Sequence, residues 1–519
     1  MSADVAVTDA DADPTVVDRW FVPIALLILL VAAALRLPEL ALNPFPHAEG
    51  VNGFFTTNLV RTGQYVYDPA NYHGPTLYYL ALASSWLFGL TTEAMRLVPV
   101  LFGLATVGLV FPLRRYLGAL PVLTAAVLLA VSPGAVYVSR YFIHEALLVA
   151  LSLALVVAGI RYLDRRRPLD LLFGSAAAAL LFATKETGII TVVVLIMAAF
   201  VSGWYVRWRR GGAPTPVSSA PARRRVALAK PLPADDPGPP PWEHIAGAAI
   251  VFLVIYVLLY TSFFTNFPKG LADSLATFTI WTQTGGATQA QPPQQYLVWM
   301  LAADGPILAL GAIGGLIAAI RGRERLWVFV GLWALGVTAA YSLVAYKTPW
   351  IALNMLLPLA LLAGHAVRET WASVGRWRVV VPVVLAAALA LSTYQSIDLN
   401  FRHYDDETYP YVFVHSTRDM LTMVDDIERI ADRAGTGRDT GVVFMAPEYW
   451  PLPWYFRDYP KAGFFGQIVD TTEAMIVARL DQEAEITTKF GAAYVRARTY
   501  NLRPGVDLVL YVRSDVPAG

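Results

Sequence analysis

The chain of 519 residues alternates between long apolar segments and short polar connectors. Several segments approach the ~20 residues that a helix needs to cross a bilayer. The pattern therefore predicts a mainly α, polytopic membrane helix bundle. The apolar segments cover residues 20–41, 75–90, 94–113, 119–138, 143–162, 168–184, 187–207, 243–264, 298–320, 326–345, 349–367 and 377–395.

Arginine is concentrated in alternate connectors, which the positive-inside rule places in the cytoplasm. The alternation is consistent only if the shortest segment, 75–90, does not cross the membrane. Ser84 and Ser85 interrupt that segment, so we predict an interfacial helix there and about eleven crossings. The prediction is a cell-membrane protein with a cytoplasmic tail over 1–19 and an extracytoplasmic carboxyl-terminal domain. The arginine groups are Arg114-Arg115, Arg161 with Arg165-Arg166-Arg167, Arg207 with Arg209-Arg210, Arg223-Arg224-Arg225, Arg321 with Arg323 and Arg325, and Arg368 with Arg376 and Arg378.

The composition divides the chain further. Residues 20–395 form the predicted membrane domain, and its Pro-, Ala- and Arg-rich stretch at about 209–242 is expected to be a disordered cytoplasmic loop. Residues 396–519 carry charges throughout, which indicates an extracytoplasmic α/β domain. Its predicted elements are a helix at Thr417–Ala434 and strands at Gly441–Met445, Met475–Ala478 and Asp507–Val512.

Composition also excludes several kinds of chemistry. Hydrophobic residues make up 56% and charged residues 15% of the chain, against about 25% charged residues in a soluble domain. The net charge of +1 gives no sign of a nucleic-acid partner. Since the chain contains no cysteine, disulfides, thiolate catalysis and zinc–thiolate sites are ruled out. It also lacks a phosphate-binding P-loop and a Rossmann fingerprint, which argues against nucleotide-driven chemistry.

Histidines, carboxylates and cations gather in the connectors predicted to face outward. Cations are depleted on that face of a membrane, so a phosphate at the headgroup level would explain them through charge-assisted hydrogen bonds. A lipid-phosphate-linked sugar supplies such a phosphate. The candidate residues are His47, Glu49, Asp68 and His73 in the first connector, Arg140, His144 and Glu145 in the second, Lys185 in the third and Lys347 in the last.

The simplest catalytic set would be one base and two or three cations. Glu49 or His47 could take a proton from an acceptor hydroxyl, while Arg140, Lys185 and Lys347 stabilise a leaving lipid phosphate. Three of these residues could instead have purely structural or lipid-binding roles. Glu49 stands at the start of a predicted helix, Lys185 could pair with the adjacent Glu186, and Arg140 could bind ordinary phospholipid headgroups.

The arrangement resembles the GT-C membrane glycosyltransferases. In that superfamily the first external loop carries an Asp-Glu pair, followed by a Pro-rich interfacial helix. Ala48-Glu49 and His73-Gly74-Pro75 occupy those places here. Within this superfamily, the chain more closely resembles the flippase-activity-associated family of archaeal and bacterial N-glycan assembly. This resemblance is carried by Tyr67-Asp68-Pro69, Tyr72-His73-Gly74-Pro75, Ser139-Arg140-Tyr141, Ala183-Thr184-Lys185-Glu186, Tyr346-Lys347-Thr348-Pro349-Trp350, Val414-His415-Ser416-Thr417-Arg418-Asp419 and Pro447-Glu448-Tyr449-Trp450-Pro451-Leu452-Pro453-Trp454-Tyr455.

The resemblance implies transfer of a sugar from a polyprenyl or dolichyl phosphate to an acceptor glycan, protein or lipid on the outer face. It implies no cofactor, although a divalent metal stays open, and it places Glu145 near the acceptor. His144, Asp68 and His73 are further acceptor-site candidates in the same connectors. The usual catalytic Asp falls at Ala48, which leaves Glu49 or His47 as the base. A flippase-associated transport component and a noncatalytic scaffold are the alternatives.

Two stretches of the predicted outer domain have open interpretations. The aromatic residues of Glu448–Trp454 could bind a glycan or pack against the membrane domain. The run Asp405-Asp406-Glu407 could hold a divalent cation or form a solvated acidic turn.

Overall fold

The computed structural model describes residues 14–71, 73–209, 238–284, 290–322 and 324–517. Most of the predicted cytoplasmic tail and of the predicted loop at 209–242 lies outside these residues. The helices up to residue 397 are α1 Pro14–Arg36, α2 His47–Thr62, α3 Thr76–Phe88, α4 Thr92–Val110, α5 Arg114–Leu117, α6 Ala119–Val131, α7 Pro133–Ser139, α8 Glu145–Arg165, α9 Pro168–Phe182, α10 Gly188–Arg209, α11 Trp242–Tyr260, α12 Lys269–Thr284, α13 Gln295–Arg321, α14 Arg325–Leu343, α15 Leu353–Ser373 and α16 Val380–Ile397.

Nine helical spans in the described residues are long and apolar enough to cross a membrane, and the pair α6–α7, bent by 62°, makes a tenth. The bend follows from Pro133, which begins α7. Buried Arg36 donates to the carbonyl oxygens of Leu129 and Ala130 at 2.9 and 2.8 Å, and so satisfies groups that the break leaves without helical partners. The short apolar helix α9 lies beside α8 and α11.

The arginine-rich connectors meet at one end of the bundle, where ion pairs join neighbouring helices. Arg115 lies 3.2 Å from Asp164, Arg161 lies 2.9 Å from Asp170, and Arg368 lies 2.6 Å from Glu324. The turn that connects α8 to α9 therefore lies at this end, which we call the arginine end. The positive-inside rule predicts that it faces the cytoplasm.

Helix α3 begins and ends at the opposite end of the bundle. The N–H of Gly74, just before α3, donates to the carbonyl of Thr184 at 3.0 Å, beyond the last residue of α9. The carbonyl of Leu90, just after α3, accepts from Arg457 at 3.1 Å, in the carboxyl-terminal domain. We call this end of the bundle, which contacts the carboxyl-terminal domain, the domain end. Since both ends of α3 lie there, α3 does not run through the bundle, as the arginine pattern predicted for 75–90.

The carboxyl-terminal domain is a mixed sheet with packed helices: α17 Arg418–Arg433, β1 Val442–Phe444, α18 Leu452–Tyr455, β2 Ala462–Phe464, β3 Met475–Arg479, α19 Glu483–Phe490, β4 Tyr494–Arg503 and β5 Val506–Arg513. The strand order is β2-β1-β3-β5-β4, with β1 parallel to both neighbours and the β3–β5 and β5–β4 pairs antiparallel. The predicted helix and the three predicted strands are confirmed. The two strands that the sequence did not predict are the edges, one only three residues long and the other rich in exposed arginine.

The sheet domain rests on α2 through two glycines. A Cβ atom at Gly50 would lie 2.5 Å from Pro451, and one at Gly53 would lie 2.6 Å from the ring of Trp454. The Trp454 ring is buried and stacks on Phe45 with centroids 4.8 Å apart. Of the two interpretations of the aromatic stretch, packing against the membrane domain is therefore correct at Trp454.

Candidate active site

Glu49 is held in a buried ion pair at the domain end. Arg96 donates from Nε to one carboxylate oxygen at 2.8 Å and from Nη2 to the other oxygen. The backbone N–H of Phe142 donates to the first oxygen at 2.5 Å. The side chains of Glu49 and Arg96 are 0% and 3% exposed, so this carboxylate is already paired and out of contact with solvent.

Sequence reasoning did not assign a role to Arg96. The available signal was its position, a single arginine inside the apolar segment 94–113. Ionisable groups are costly in such segments and have partners when they occur there. Arg96 also donates to the carbonyls of Leu40 and Asn43 at 2.6 and 2.8 Å, and so ties the first connector to α4.

His47 is the more accessible of the two predicted bases. It is the first residue of α2 and is exposed overall, while its imidazole faces Trp450 with ring centroids 6.1 Å apart. Desolvation, together with the positive charge of Arg503, lowers the pKa of His47 to about 4. The ring is therefore neutral at pH 7 and can accept a proton.

Lys185 forms a second buried ion pair, with Glu145. Its partner thus comes from α8 and not from the adjacent Glu186, which instead faces His73 with Nδ1 and Oε2 3.4 Å apart. Burial opposes the charge of Lys185, but Glu145 and Glu186 outweigh it and raise the pKa of this ammonium. The ring of His144 lies 4.7 Å from that of His73 between centroids.

The two ion pairs belong to one connected network. Phe142, which donates to Glu49, stands three residues before Glu145, which pairs with Lys185. Asn52 of α2 donates to the carbonyl of Phe142 at 2.8 Å and accepts from the hydroxyl of Tyr78 at 3.0 Å. The first three outer connectors of the prediction are therefore brought together at the domain end.

Asp68 borders the network as an exposed carboxylate. One of its oxygens accepts from the N–H of Ala70 at 2.9 Å, which closes a turn in the first connector. Burial raises the pKa of the Tyr78 hydroxyl, and the negative charge of Asp68 adds to that upward shift.

Arg140 and Lys347 are cations without a carboxylate partner within 4 Å in the described residues. Arg140 donates to the carbonyls of Arg36, Pro38 and Glu39 at 3.2, 2.6 and 3.0 Å. Burial and the charge of Arg96 lower the pKa of Arg140 to about 10, which leaves it charged at pH 7.

Lys347 lies deeper and is only 1% exposed. Its ammonium donates to the carbonyl of Ser342 at 3.0 Å and to that of Val344, and lies 5.8 Å from the ring centre of Tyr296. Trp350, three residues beyond Lys347, contacts Tyr141 with ring centroids 5.6 Å apart.

A metal centre has little support in the part of the chain that the structure describes, where no three His, Cys, Asp or Glu residues are arranged to hold an ion. In the acidic run at 405–407, the carboxylate of Asp406 accepts from the N–H and the hydroxyl of Thr408 at 2.9 and 2.8 Å. That geometry favours the acidic turn over the cation site.

Comparison with known proteins adds independent information. The family model described as dolichyl-phosphate-mannose-protein mannosyltransferase matches residues 72–214. The crystal structure of ArnT from Cupriavidus metallidurans bound to undecaprenyl phosphate superposes with a TM-score of 0.65 at 15% identity, over 97% of this chain and 99% of that one. No curated protein sequence matched the chain.

A second fold match is the oligosaccharyltransferase of Archaeoglobus fulgidus in its apo form, with a TM-score of 0.58 at 12% identity, over 92% of this chain and 73% of that one. The same enzyme in complex with an inhibitory peptide and a dolichol-phosphate gives a TM-score of 0.53 at 12% identity, over 96% and 77%. The likeness therefore extends over both the bundle and the sheet domain.

Proposed function

We propose that this chain, a multi-pass membrane protein with the fold of the GT-C glycosyltransferases, transfers a sugar from a polyprenyl or dolichyl phosphate to an acceptor. The reaction would take place at the domain end, which the arginine pattern predicts to be extracytoplasmic. The observation that carries the proposal is the buried charge of Lys347, which has no carboxylate partner within the described ranges.

A buried ammonium is costly unless an anion or several strong acceptors surround it. Among the residues that the structure describes, Lys347 donates to two neutral carbonyl oxygens and lies beside the Tyr296 ring, so the third of its N–H donors has no acceptor there and could bind an incoming anion. A lipid phosphate is such an anion, and it would arrive at the headgroup level where the connector of Lys347 lies.

Lys185 and Arg140 would complete the phosphate site. Lys185 is fixed by Glu145, and Arg140 by three backbone carbonyls, so both cations are oriented before a ligand binds. As the bond between the sugar and the phosphate breaks, the lipid phosphate leaves with additional negative charge. Cations fixed in this way stabilise that charge without having to reorganise.

His47 would act as the base. The acceptor hydroxyl would lose its proton to the neutral imidazole while its oxygen bonds to the anomeric carbon of the sugar. Glu49 is the less suitable base because its carboxylate is buried and already accepts from Arg96 and Phe142. We therefore assign Glu49 and Glu145 to positioning, and keep Asp68, His73 and His144 as residues that border the acceptor.

The similar proteins support this direction without fixing the substrate. The ArnT structure contains undecaprenyl phosphate, and one archaeal oligosaccharyltransferase structure contains a dolichol-phosphate. The matching family model is named for a dolichyl-phosphate-mannose donor. A lipid phosphate is the ligand feature that these three descriptions share.

Binding of undecaprenyl phosphate to the purified protein tests the proposal, with native mass spectrometry as the readout. Lys347→Met keeps the length of the side chain and removes its charge, and we expect it to weaken binding about tenfold or more. Lys461→Met, at an exposed position of the sheet domain, is the matched control and should bind like the unaltered protein. Equal binding by both variants would contradict the proposed phosphate site.

One observation favours a second function, that of a noncatalytic relative. Ala48 stands where the resemblance places the catalytic Asp, and it packs at the edge of the main apolar core. If His47 supplies no base, the protein would bind the lipid-linked sugar without turnover. In that case Ala48→Asp would create transfer activity in a protein that otherwise has none.

A further inference from the structure

An aromatic patch surrounds His47 where the sheet domain meets α2. His47 and Phe54 lie seven positions apart on one face of α2, and Trp450 from the sheet domain contacts both. The Trp450 ring is 6.1 Å from that of His47 and 5.9 Å from that of Phe54 between centroids. Phe54 is 42% exposed and Trp450 is partly exposed, so the patch is open to solvent, unlike the neighbouring Trp454.

Glu448, two residues before Trp450, carries a free hydrogen-bond acceptor. It accepts from Arg479 at 2.9 Å through one carboxylate oxygen, while its other oxygen is buried and has no hydrogen-bond partner in the described part of the chain. Buried polar atoms usually have partners, and a carboxylate oxygen can accept from more than one donor.

Arg503 carries the complementary feature, a free donor. Its Nη1 atom is buried and has no hydrogen-bond partner among the residues described, and its charge acts on Glu448, Glu407 and His47. The patch thus presents a flat aromatic ring beside one available acceptor and one available donor. We call His47, Phe54, Glu448, Trp450 and Arg503 the junction patch.

This combination matches the chemistry of a sugar. A pyranose ring has a face of C–H groups that packs on an aromatic ring, and its hydroxyls both donate and accept hydrogen bonds. A peptide acceptor would need backbone partners or an apolar pocket, and neither the charges nor the flat ring of the patch favours it.

We propose that the junction patch binds the acceptor and that this acceptor is a glycan. A sugar unit would stack on Trp450, donate a hydroxyl hydrogen bond to Glu448 and accept one from Arg503, with a further hydroxyl presented to His47. Only the presentation of a hydroxyl to His47 rests on the proposed function, because glycan binding requires neither a donor lipid nor turnover.

Isothermal titration of the detergent-solubilised full chain with neutral oligosaccharides tests the proposal. The probes are mannotetraose, maltotetraose and chitotetraose, and a peptide containing Ser, Thr and Asn is the contrasting ligand. We expect at least one tetrasaccharide to bind in the millimolar range. Trp450→Ala should weaken that binding about tenfold and Trp450→Phe less, because phenylalanine keeps an aromatic face.

Trp377→Ala provides the matched control, because Trp377 is 61% exposed and lies at the arginine end. It should leave the binding unchanged. Glu448→Gln keeps the shape of the side chain and should weaken sugar binding without changing undecaprenyl phosphate binding. This second readout also shows that the variant is folded.

The outcomes separate this inference from the proposed function. Tetrasaccharide binding that depends on Trp450 in a protein without transfer activity would support the patch and contradict the transfer reaction. Sugar transfer that continues with an unchanged acceptor KM in Trp450→Ala would contradict the patch alone. Binding of the peptide with no binding of any tetrasaccharide would also overturn it.

Discussion

The guanidinium of Arg96 binds both carboxylate oxygens of Glu49, and both side chains are buried at the domain end of the bundle. The pair fixes the start of α2 against α4. His47, Asn52 and the glycines that receive the sheet domain all lie on α2, so the same ion pair positions the proposed base and the domain above it.

Glu49→Gln should destabilise the protein because it leaves the charge of Arg96 buried without a counterion. Breaking a buried ion pair from one side typically costs about 3–5 kcal/mol. We expect a clear fall in the melting temperature of the detergent-solubilised protein, together with a loss of activity. Glu93→Gln, at an exposed position in the first turn of α4, should melt like the unaltered protein.

The double variant Glu49→Leu/Arg96→Met separates stability from chemistry, since replacing both charges by apolar side chains often restores stability. A Glu49→Gln protein that keeps the normal melting temperature but transfers no sugar would contradict the positioning role. It would identify Glu49 as the base.

His47 should set the acid limb of the pH profile. A base acts in its neutral form, and the lowered pKa of about 4 keeps His47 neutral above about pH 5. We therefore expect kcat/KM to be flat between about pH 5 and 8 and to fall as the pH drops towards 4. His47→Ala should lower kcat by about 10²–10⁴-fold with little change in melting temperature.

His403 supplies the control for that experiment because it is also an exposed histidine, near the start of residues 396–519 and 3.1 Å from Asp398. His403→Ala should keep the rate. If the profile instead has an inflection near pH 6.5 that His47→Ala removes, the base would be His47 but its environment would not be the one described.

Gly53 should be intolerant of a side chain. Its Cβ would lie 2.6 Å from the buried ring of Trp454, and overpacking of this kind costs about 1–3 kcal/mol. We expect Gly53→Ala to loosen the sheet domain and to speed trypsin cleavage at Arg402 and Arg418, which flank its start.

Gly108→Ala is the opposite case, since nothing lies within 4 Å of that position in α4 and alanine favours a helix by about 0.5–1 kcal/mol over glycine. It should be neutral or stabilising. Equal cleavage rates in the two variants would show that the sheet domain does not depend on this contact.

The large-scale order of the chain could be predicted because it depends on properties that repeat along the sequence. Apolar segments of bilayer length and alternating arginines indicated the helices, the two ends of the bundle and the separate course of 75–90. The pairs within the site could not be predicted in the same way. Glu145 and Lys185 are 40 positions apart, and the nearer Glu186 was an equally reasonable partner.

The burial of the charged side chains could not be predicted from the hydrophobic pattern either. Glu49 stands at a helix start in a polar stretch, which is typical of an accessible carboxylate, yet Arg96 from an apolar segment encloses it. The carbonyl partners of Arg140 and Lys347 belong to the backbone, which leaves no signature in the sequence. The sequence did identify which residues gather at the domain end, but not which of their charges are already paired.

Cysteine labelling should establish the orientation of the two ends. The natural chain has no cysteine, so Glu93→Cys, Lys461→Cys and Arg167→Cys can each be labelled alone with a membrane-impermeant maleimide. We expect positions 93 and 461 to react from outside intact cells, and position 167 only after the membrane is opened. Labelling of 93 and 167 from the same side would contradict the three spans that lie between them, α4, the bent pair α6–α7 and α8.

The most direct test of sugar transfer is release of the lipid phosphate during turnover. Proteoliposomes would be supplied with undecaprenyl-phosphate-linked mannose and an oligosaccharide acceptor, and free undecaprenyl phosphate would be measured by mass spectrometry. We expect release by the unaltered protein and by Lys461→Met, with a loss of about tenfold or more in Lys347→Met. Release that is unchanged in Lys347→Met would contradict it.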